Sequence, residues 1–352
     1  MFFGKKNQLV GLDIGTSSIK IVEIQDSSNG IVLKKAVKEK IPPDLFSEGE
    51  PKDASFLSSL LKDLFIRNKI KNKNVALSIG GASAIVKPIK VSASGDKDLH
   101  SLIFEEAEHY IPFDINEVNI DYHIMDSSND NLNQIDVLLV AVKTDIVQKY
   151  VKLVEGAGLN PCIIDIDAFA VQNIFEINEP DVKNAILINV GASKTSLNVV
   201  VDNESAFMRS VSMGSSKITE EIMLLDSKLN FEEAEMIKSG ESEAQDINPD
   251  DFSQLLASVS LEWCSEITRA LDFFYSNYDG ERAEQIYLCG GGSYIEKFRE
   301  ELSSYSSSDV KILDPLKVFD TEKTGYTQKE LKSFSPEFCV ALGLGLRKVD
   351  DK

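Results

Sequence analysis

The sequence is poor in the residues that build metal centres and disulfide scaffolds. It has four cysteines and three histidines in 352 residues. The cysteines form no C-x-x-C pair and lie far apart, at Cys162, Cys264, Cys289 and Cys339. This spacing excludes a disulfide scaffold and a cysteine-based zinc site, and it fits a reducing cytosol. The isolated histidines exclude a histidine-rich metal centre.

Long apolar runs are also missing. A membrane-spanning helix needs about 20 consecutive apolar residues, whereas the densest stretches, Val137–Val142 and Ala185–Val190, have the length of a strand. The N-terminus is apolar and then basic, without the apolar stretch of about 7–15 residues that a signal peptide contains. The sequence therefore predicts no transmembrane segment and no secretory signal.

Basic residues are in the minority. The chain has 37 Lys and Arg against 57 Asp and Glu, for a net charge of −20 at pH 7. Phosphate backbones repel an acidic surface, and no stripe of Lys and Arg with interleaved aromatics is evident, so a general nucleic-acid binder is not expected. Hydrophobic residues make up 43% of the chain, enough for real cores in two or three domains.

A strand–turn–strand unit occurs twice, about half the chain apart. The first consists of a strand at residues 9–12, a glycine turn over Asp13–Ser18 and a strand over Ile19–Ile24. The second consists of a strand over Ala185–Val190, a turn at residues 191–195 and a strand over Ser196–Val201. An internal duplication of this kind predicts two similar lobes that face each other.

The region between the two units contains a segment with a pattern of its own. Residues 84–160 alternate strand and helix patterns, ending in a predicted helix over Lys143–Ala157. The pattern is typical of a compact α+β subdomain inserted into a larger α/β domain.

Three glycine turns carry the candidate chemistry. In such turns the backbone N–H groups converge without a Cβ in the way, which suits phosphate oxygens. In the first turn, Asp13 suits Mg²⁺ directly or through water, Lys20 adds a positive charge, and the phosphate ligands are Gly15, Thr16, Ser17 and Ser18. Taken singly each turn is as readily a hairpin or a helix cap, but their order and spacing together favour one shared site.

The ordered trio resembles the actin, sugar-kinase and chaperone ATPase superfamily. That resemblance implies ATP with Mg²⁺ bound between the lobes, with a second phosphate turn made of Gly191, Ala192, Ser193, Lys194 and Thr195. It places the third turn near adenosine, through Gly290, Gly291, Gly292 and Ser293, together with the glycine turn at Gly214. It assigns Glu235 to ribose and Lys238 to adenine; the alternative for these two is a surface pair at i and i+3.

Four features resemble the PilM family of type IV pilus assembly proteins. These are the opening Phe3–Lys6 followed by Gly11–Lys20, the segment Glu105–Phe113 with its Y-I-P-F motif, the insert at residues 84–160, and Ala341–Leu346. The related cell-division protein FtsA continues into a basic amphipathic membrane helix, and none is expected after Leu346.

The resemblance implies an α/β, actin-like (ribonuclease H-like) two-lobed fold with an inserted α+β (SHS2-type) subdomain. The expected division is residues 1–83 with 161–184 as subdomain 1A and 84–160 as subdomain 1C. Residues 185–203 with 252–352 form subdomain 2A, and 204–251 form subdomain 2B.

One position departs from the superfamily pattern. The second phosphate turn usually begins with aspartate, and here it begins with Asn189. An amide can hydrogen-bond a metal-bound water but lacks the charge that helps to neutralise Mg²⁺, so weak or no ATP hydrolysis is expected. Gln172 is the candidate to position the attacking water, the alternative being an ordinary helix-surface residue.

The resemblance also implies partners and a location. It predicts a cytoplasmic protein, peripheral to the inner membrane, that binds the cytoplasmic N-terminal tail of PilN and through it the PilN–PilO complex. The motor ATPases and platform protein would lie nearby. Tyr110–Phe113 is either an edge of the partner groove or a rigid corner that ends a helix.

Two other functions stay open at this stage. One is an FtsA-like protein that self-associates into filaments. The other is a metabolic kinase of the same superfamily, which needs a general base; Asp165 and Asp167 are the available carboxylates, although Asp167 is also expected to cap the helix that starts at Ala168.

Overall fold

The computed structural model describes residues 8–28, 30–47, 49–80, 83–92, 98–125, 134–243, 247–278, 280, 282–283, 285–306, 308–349 and 351. The opening motif Phe3–Lys6 lies outside the described residues. Two sheets organise this part of the chain, and each forms the centre of one lobe.

The first lobe is built on a six-stranded sheet. Its strands are β1 (Val10–Ile14), β2 (Ser18–Ser27), β3 (Gly30–Lys40), β6 (Asn74–Ile79), β10 (Asn160–Ile166) and β16 (Phe319–Asp320). They lie in the order β10-β6-β1-β2-β3-β16. Strands β10, β6 and β1 are parallel, and β2 returns antiparallel to β1. A short hairpin, β4 (Phe46–Ser47) and β5 (Glu50–Pro51), and helix α1 (Ala54–Arg67) connect β3 to β6.

The second lobe repeats this topology. Its five strands are β11 (Ala185–Val190), β12 (Thr195–Val201), β13 (Glu204–Val211), β14 (Gln285–Cys289) and β15 (Asp309–Ile312). They lie in the order β13-β12-β11-β14-β15, which matches β3-β2-β1-β6-β10 position by position. The predicted internal duplication is therefore confirmed by the order and direction of the strands.

Helices contribute to the core of the second lobe. They are α5 (Ser216–Leu225), α6 (Phe231–Ser239), α7 (Pro249–Tyr275) and α8 (Glu296–Ser306), and the shorter α9 (Gln328–Phe334) follows them in the chain. Buried Trp263 and Ile267 of α7 pack with Phe298 of α8 in the core of this lobe. Among the described residues, no helix is both long and apolar enough to cross a membrane.

The insert has its own small core. Strands β7 (Ala84–Ser92), β8 (Val118–Ile124) and β9 (Gln134–Lys143) form an antiparallel sheet in the order β7-β9-β8, covered by α2 (Leu99–Tyr110). Helix α3 (Thr144–Gly156), which the sequence assigned to the insert, belongs elsewhere. Its buried Ile146, Tyr150, Leu153 and Val154 pack in the core of the first lobe. We therefore propose to end the inserted subdomain at residue 143, and we keep the other predicted boundaries as proposals.

Two helices lie between the sheets and join the lobes. Helix α4 (Asp167–Asn178) packs against α10 (Cys339–Gly345), and both contribute to one core with residues from both sheets. Their contact depends on glycine, because a Cβ on Gly343 would lie 1.8 Å from the carbonyl oxygen of Ala170. The predicted helix over residues 336–348 is shorter in the structure, because residues 335–338 form a 3-10 turn before α10.

Candidate functional site

A cavity of about 830 Å³ lies between the two lobes. It opens where β1, β6 and β10 of the first sheet and β11 and β14 of the second reach their carboxyl ends. In open α/β sheets, this end of the parallel strands is where ligands bind, because the following loops diverge and leave a crevice. The cavity is the meeting point of the predicted glycine turns.

The first two turns face each other directly. The hydroxyl of Thr16 donates a hydrogen bond to the hydroxyl of Ser193 across the cleft, at 3.1 Å. Both turns close in the same way, since the amide of Gly15 donates to the carbonyl of Ser18 at 3.1 Å and that of Gly191 to the carbonyl of Lys194 at 3.0 Å. The cavity wall includes Gly15, Thr16, Ser17, Ser18, Gly191, Ala192, Ser193 and Lys194.

The first turn carries an ion pair at its base. Asp13 and Lys20 are opposite each other in the β1–β2 hairpin, with Lys20 Nζ 2.9 Å from Asp13 Oδ2. Burial disfavours the charged lysine, but the attraction of Asp13 and the hydrogen bond between them outweigh it and raise the pKa of Lys20. The lysine therefore remains a cation at the cavity wall.

A second carboxylate stands beside Asp13. Asp167 lines the cavity and accepts a hydrogen bond of 2.5 Å from the Ser78 hydroxyl. Burial, followed by repulsion from Asp13, raises the pKa of Asp167 to about 6. The expectation that Asp167 caps a helix at Ala168 is wrong, because α4 begins at Asp167 itself with Ile166 as its N-cap.

The third turn approaches the second from the same sheet. Gly290 has φ of +83°, and a Cβ there would lie 2.5 Å from the Asn189 side-chain oxygen, so only glycine fits. Gly290 and Gly291 line the cavity. Ser293 is buried, and its hydroxyl donates to the carbonyl of Gly290 at 2.7 Å. Residues 291–294 form a 3-10 turn, and α8 starts only at Glu296 rather than at the predicted Tyr294.

Glu235 and Lys238 lie on the cavity wall and interact with each other. Their side chains form an ion pair, and Lys238 Nζ also donates to the Thr219 hydroxyl at 2.9 Å. Burial lowers the pKa of Lys238, although the attraction of Glu235 opposes the shift. The pair is thus at the predicted place, as a partly buried cluster rather than a surface pair.

Four predicted ligand residues support the turns instead of lining the cavity. They are Thr195, Gly214, Gly292 and Ser293, none of which belongs to the described cavity wall. The Thr195 hydroxyl donates to the carbonyl of Met213 at 2.8 Å and accepts from the indole of Trp263 at 2.9 Å. A Cβ on Gly214 would lie 2.2 Å from the carbonyl oxygen of Ala192. Thr195 and Gly214 thus hold the second turn against α7 and the residues before α5, while Ser293 bonds within the third turn.

Gln172 is placed away from the cavity. It is buried, and its amide nitrogen donates to Glu176 at 2.8 Å and to the carbonyl of Asn203 at 2.9 Å. Its oxygen accepts from Asn198 at 2.9 Å and from Ser205 at 2.7 Å. Since every hydrogen-bonding site of the amide is used within this network, the expected role of positioning a water does not follow. It is not an ordinary surface residue either.

Several cavity residues were not foreseen from the sequence. Lys38, at the end of β3, forms an ion pair of 2.5 Å with Glu337, which precedes α10. Tyr150 of α3 and Tyr294 also line the cavity. No local sequence motif predicts them, because each lies on an element that reaches the cleft only through the tertiary fold. Asp167 differs from these residues, because the sequence already indicated it as an available carboxylate; it directly follows a strand parallel to β6.

The oxygen donors suit one magnesium ion that is held partly by a ligand. Asp13, Asp167 and Asn189 present two carboxylates and one amide at one end of the cavity. The described residues contain no group of three or more His, Cys, Asp or Glu placed to hold a metal. Mg²⁺ keeps several waters and is commonly bound through one or two carboxylates plus phosphate oxygens, so this donor set fits it.

Two lobes of one topology around such a cleft define the class of actin-like ATPase folds. Two solved structures share the fold at low identity. Ethanolamine utilization protein EutJ from Carboxydothermus hydrogenoformans is 14% identical, with 97% of this chain and 90% of that chain covered and a TM-score of 0.59. MreB5 of Spiroplasma citri bound to ADP is 13% identical, with 96% and 95% covered and a TM-score of 0.56.

A family model within this class also matches the chain. The family model for type IV pilus assembly protein PilM matches residues 11–349, so the chain belongs to the PilM family. The solved structure of a PilM-PilN type IV pilus biogenesis complex is 26% identical to this chain. The alignment covers 98% of this chain and 99% of that chain, with a TM-score of 0.85.

Proposed function

We propose that the protein is a nucleotide-dependent adaptor of type IV pilus assembly, which binds ATP with Mg²⁺ in the cleft and the tail of a membrane protein on its surface. The observation that carries the nucleotide part is the contact of 3.1 Å between Thr16 and Ser193. It brings two phosphate-type turns from opposite lobes to one point, so a triphosphate there would bridge the lobes.

The cavity divides into a phosphate end and a nucleoside end. Backbone amides of the two hairpin turns and the cation of Lys20 suit phosphate oxygens. Gly290 and Gly291 leave room for a flat ring near Glu235 and Lys238. Mg²⁺, when bound, would neutralise phosphate charge beside Asp13 and Asp167, with Asn189 held to it through water.

The distribution of charge in the site is consistent with slow ATP hydrolysis. Asn189 provides no negative charge at the second turn, and Gln172 is engaged in its own network. Asp167 is the buried carboxyl at the phosphate end, and with a pKa of about 6 it is mostly ionised at neutral pH. It is therefore the group we assign to orient a water, in place of Gln172.

The partner assignment rests on the PilM-PilN complex. By this likeness, the chain binds the cytoplasmic N-terminal tail of a PilN protein and resides at the inner membrane through it. The Tyr110–Phe113 segment lies on the insert, where Ile111 is buried and Phe113 is 43% exposed with Lys143 Nζ 4.2 Å from its ring centre. The segment thus combines a packed corner with one ring accessible to a partner.

The central cavity shares a wall with a second cavity beside the insert, which provides a route for coupling. A second cavity of about 330 Å³ lies between β7 of the insert and β12 and β13 of the second lobe. Ser196 and Ser210 line both this cavity and the central one. Closure of the lobes around a nucleotide would therefore displace the insert relative to the second lobe, and a ligand that prefers one arrangement shifts the affinity for the other.

The experiment is a pull-down from solubilised membranes with the tagged protein, with ATP·Mg²⁺ and without nucleotide, alongside calorimetry of ATP·Mg²⁺ binding. We expect recovery of a single-span protein with a short cytoplasmic tail, in an amount that depends on ATP. A protein that binds ATP but recovers no such partner contradicts the adaptor role. One that recovers the partner without binding ATP contradicts the nucleotide role.

A further inference from the structure

The charge of the molecule is divided very unevenly along the chain. Residues 1–83 carry a net charge of +4, whereas the other residues carry −24. The first lobe therefore has a cationic region in an otherwise strongly acidic protein. Most of this positive charge is concentrated after α1.

The turn from α1 into β6 alternates exposed cations with inward-facing residues. Its exposed side chains are Arg67, Lys69, Lys71 and Lys73, and the residues between them, Asn68, Ile70, Asn72 and Asn74, are buried or half-buried. We name Arg67, Lys69, Lys71 and Lys73 the basic stripe. The alternation leaves four exposed positive charges within a segment of seven residues.

The asparagines fix this segment against the body of the lobe. Asn68 Nδ2 donates to the carbonyl of Leu64 at 2.9 Å, and Asn72 Nδ2 donates to the carbonyl of Gln8 at 2.7 Å. The Asn160 side chain donates to Asn74 at 3.1 Å. Ile70 is 4% exposed and anchors the turn in the core. These contacts fix the segment that carries the cations. The residues between the cations are uncharged, so none of them neutralises the stripe.

Most of the stripe has no acidic partner. Arg67 lies 3.3 Å from Glu39. In contrast, Lys69, Lys71 and Lys73 form no ion pair within the part of the chain that the structure describes, and Asp63 is the remaining acid close to them in sequence. Keeping like charges adjacent and unpaired costs stability, which suggests a partner outside the chain.

An apolar residue borders the stripe. Ile66, next to Arg67, is 62% exposed.

We propose that the basic stripe, with Ile66, is a docking surface for an anionic lipid bilayer. A row of cations beside an exposed apolar residue suits a membrane, because lysines attract anionic headgroups while the apolar side chain enters the interface. An acidic protein would pair with the lysines but would leave the exposed Ile66 without a contact. An anionic membrane repels the acidic remainder of the molecule, and this repulsion orients the first lobe toward the membrane.

The test is co-sedimentation with sucrose-loaded vesicles of phosphatidylcholine alone or with 30% phosphatidylglycerol, at low and high salt. Since each lysine near an anionic surface contributes about 1 kcal/mol, we expect K69Q/K71Q/K73Q to bind the anionic vesicles about 100-fold more weakly than the natural sequence. The matched control is K183Q/K228Q/K329Q, which removes the same charge at exposed lysines of the acidic part of the chain and should bind nearly unchanged.

Three results would overturn the proposal. These are equal binding to neutral and anionic vesicles, equal loss in the two triple variants, and binding of polyglutamate but not of vesicles, which would indicate an acidic protein partner. Circular dichroism confirms that the variants fold. The assay contains no nucleotide and no partner protein, so its failure is distinguishable from a failure of the proposed adaptor function.

Discussion

The hairpins β1–β2 and β11–β12 have equivalent backbones and different side chains at the same positions. Asp13 is opposite Lys20 in the first, and Asn189 is opposite Ser196 in the second. Both turns close with a glycine amide bonded to a carbonyl three residues later. The duplicated backbone thus preserves the glycine turn, whereas the charged pair at these two positions occurs in the first hairpin only.

This difference indicates that the two lobes have different roles in the cleft. The first lobe contributes Asp13, Lys20 and Asp167, all charged or titratable groups at the phosphate end. The second contributes backbone amides, hydroxyls and Lys194 from its turn, and the Glu235–Lys238 pair farther along the cavity wall. We infer that the first lobe holds the metal, and that the second mainly positions the ligand.

The largest effect should follow from giving the first hairpin the side chains of the second. D13N/K20S removes both charges while leaving an amide and a hydroxyl at the equivalent positions. Because hydrogen bonds to charged groups are each worth about 1.5–3 kcal/mol, losing two of them should cost about 3 kcal/mol or more. We therefore expect affinity for ATP·Mg²⁺ to fall by at least about 100-fold in calorimetry. N189A, at the matching position, should lose much less. Equal losses would show that the lobes do not differ.

The contact between α4 and α10, which joins the lobes, should lose stability when Gly343 is substituted but not when Gly345 is substituted. G343A places a Cβ 1.8 Å from the carbonyl oxygen of Ala170, so α10 and α4 must move apart. We expect a loss of about 1–3 kcal/mol in the free energy of unfolding, seen as a lower Tm. G345A is the control, since its Cβ would meet Val22 and Ile24 at ordinary distances of 3.6–3.8 Å. A similar Tm for both variants would contradict this packing.

The buried Asp167 of the first lobe should also make the stability of the protein depend on pH. The pKa of Asp167 rises from 3.8 to about 6 on folding, so the folded state favours the protonated acid, and stability is lost as pH rises through 6. D167N removes this penalty and should raise the free energy of unfolding at pH 8 by about 2 kcal/mol, with little difference near pH 4. Thermal melts across this range provide the measurement.

The matching control for Asp167 is S78A. The Ser78 hydroxyl donates to the carboxylate and favours its charged form, so its loss should destabilise the protein more at pH 8 than at pH 5. A stability difference between D167N and the natural sequence that does not vary with pH would contradict the buried-acid interpretation.

The smallest effect should come from restoring charge to the second hairpin. N189D adds a carboxylate at the position equivalent to Asp13, and a charged acceptor improves on an amide by about 1 kcal/mol. We expect about fivefold tighter binding of ATP with Mg²⁺ and no gain in EDTA. A gain that persists in EDTA would mean that residue 189 does not act through the metal.

Local patterns were sufficient for the repeated units and the turns. Strand alternation on both sides of Gly15 and Gly191 predicted the two hairpins, and their separation predicted the duplication. This worked because hairpin turns depend on residues adjacent in sequence. The family resemblance then supplied the cleft, which the structure confirms in bringing all three turns to one cavity.

Roles that depend on neighbours distant in sequence were not accessible in this way. Gln172 and Asp167 lie on the same short helix, yet one is enclosed by Asn198 and Ser205 and the other faces the cavity beside Ser78. Helical periodicity alone could not decide which residue faces the ligand. Likewise, α3 follows the insert in sequence but packs with the first lobe.

The amino-acid sequence by itself thus determined the repeated hairpins, the glycine turns and the uneven distribution of charge, since these depend on short-range backbone preferences and on composition. Only the tertiary structure decided that Asp167 rather than Gln172 reaches the cavity, that Lys38 meets Glu337, and that the four cations at the end of α1 are exposed. Each of these outcomes depends on the packing of whole elements, because burial and electrostatic environment are set by neighbours that lie far away along the chain.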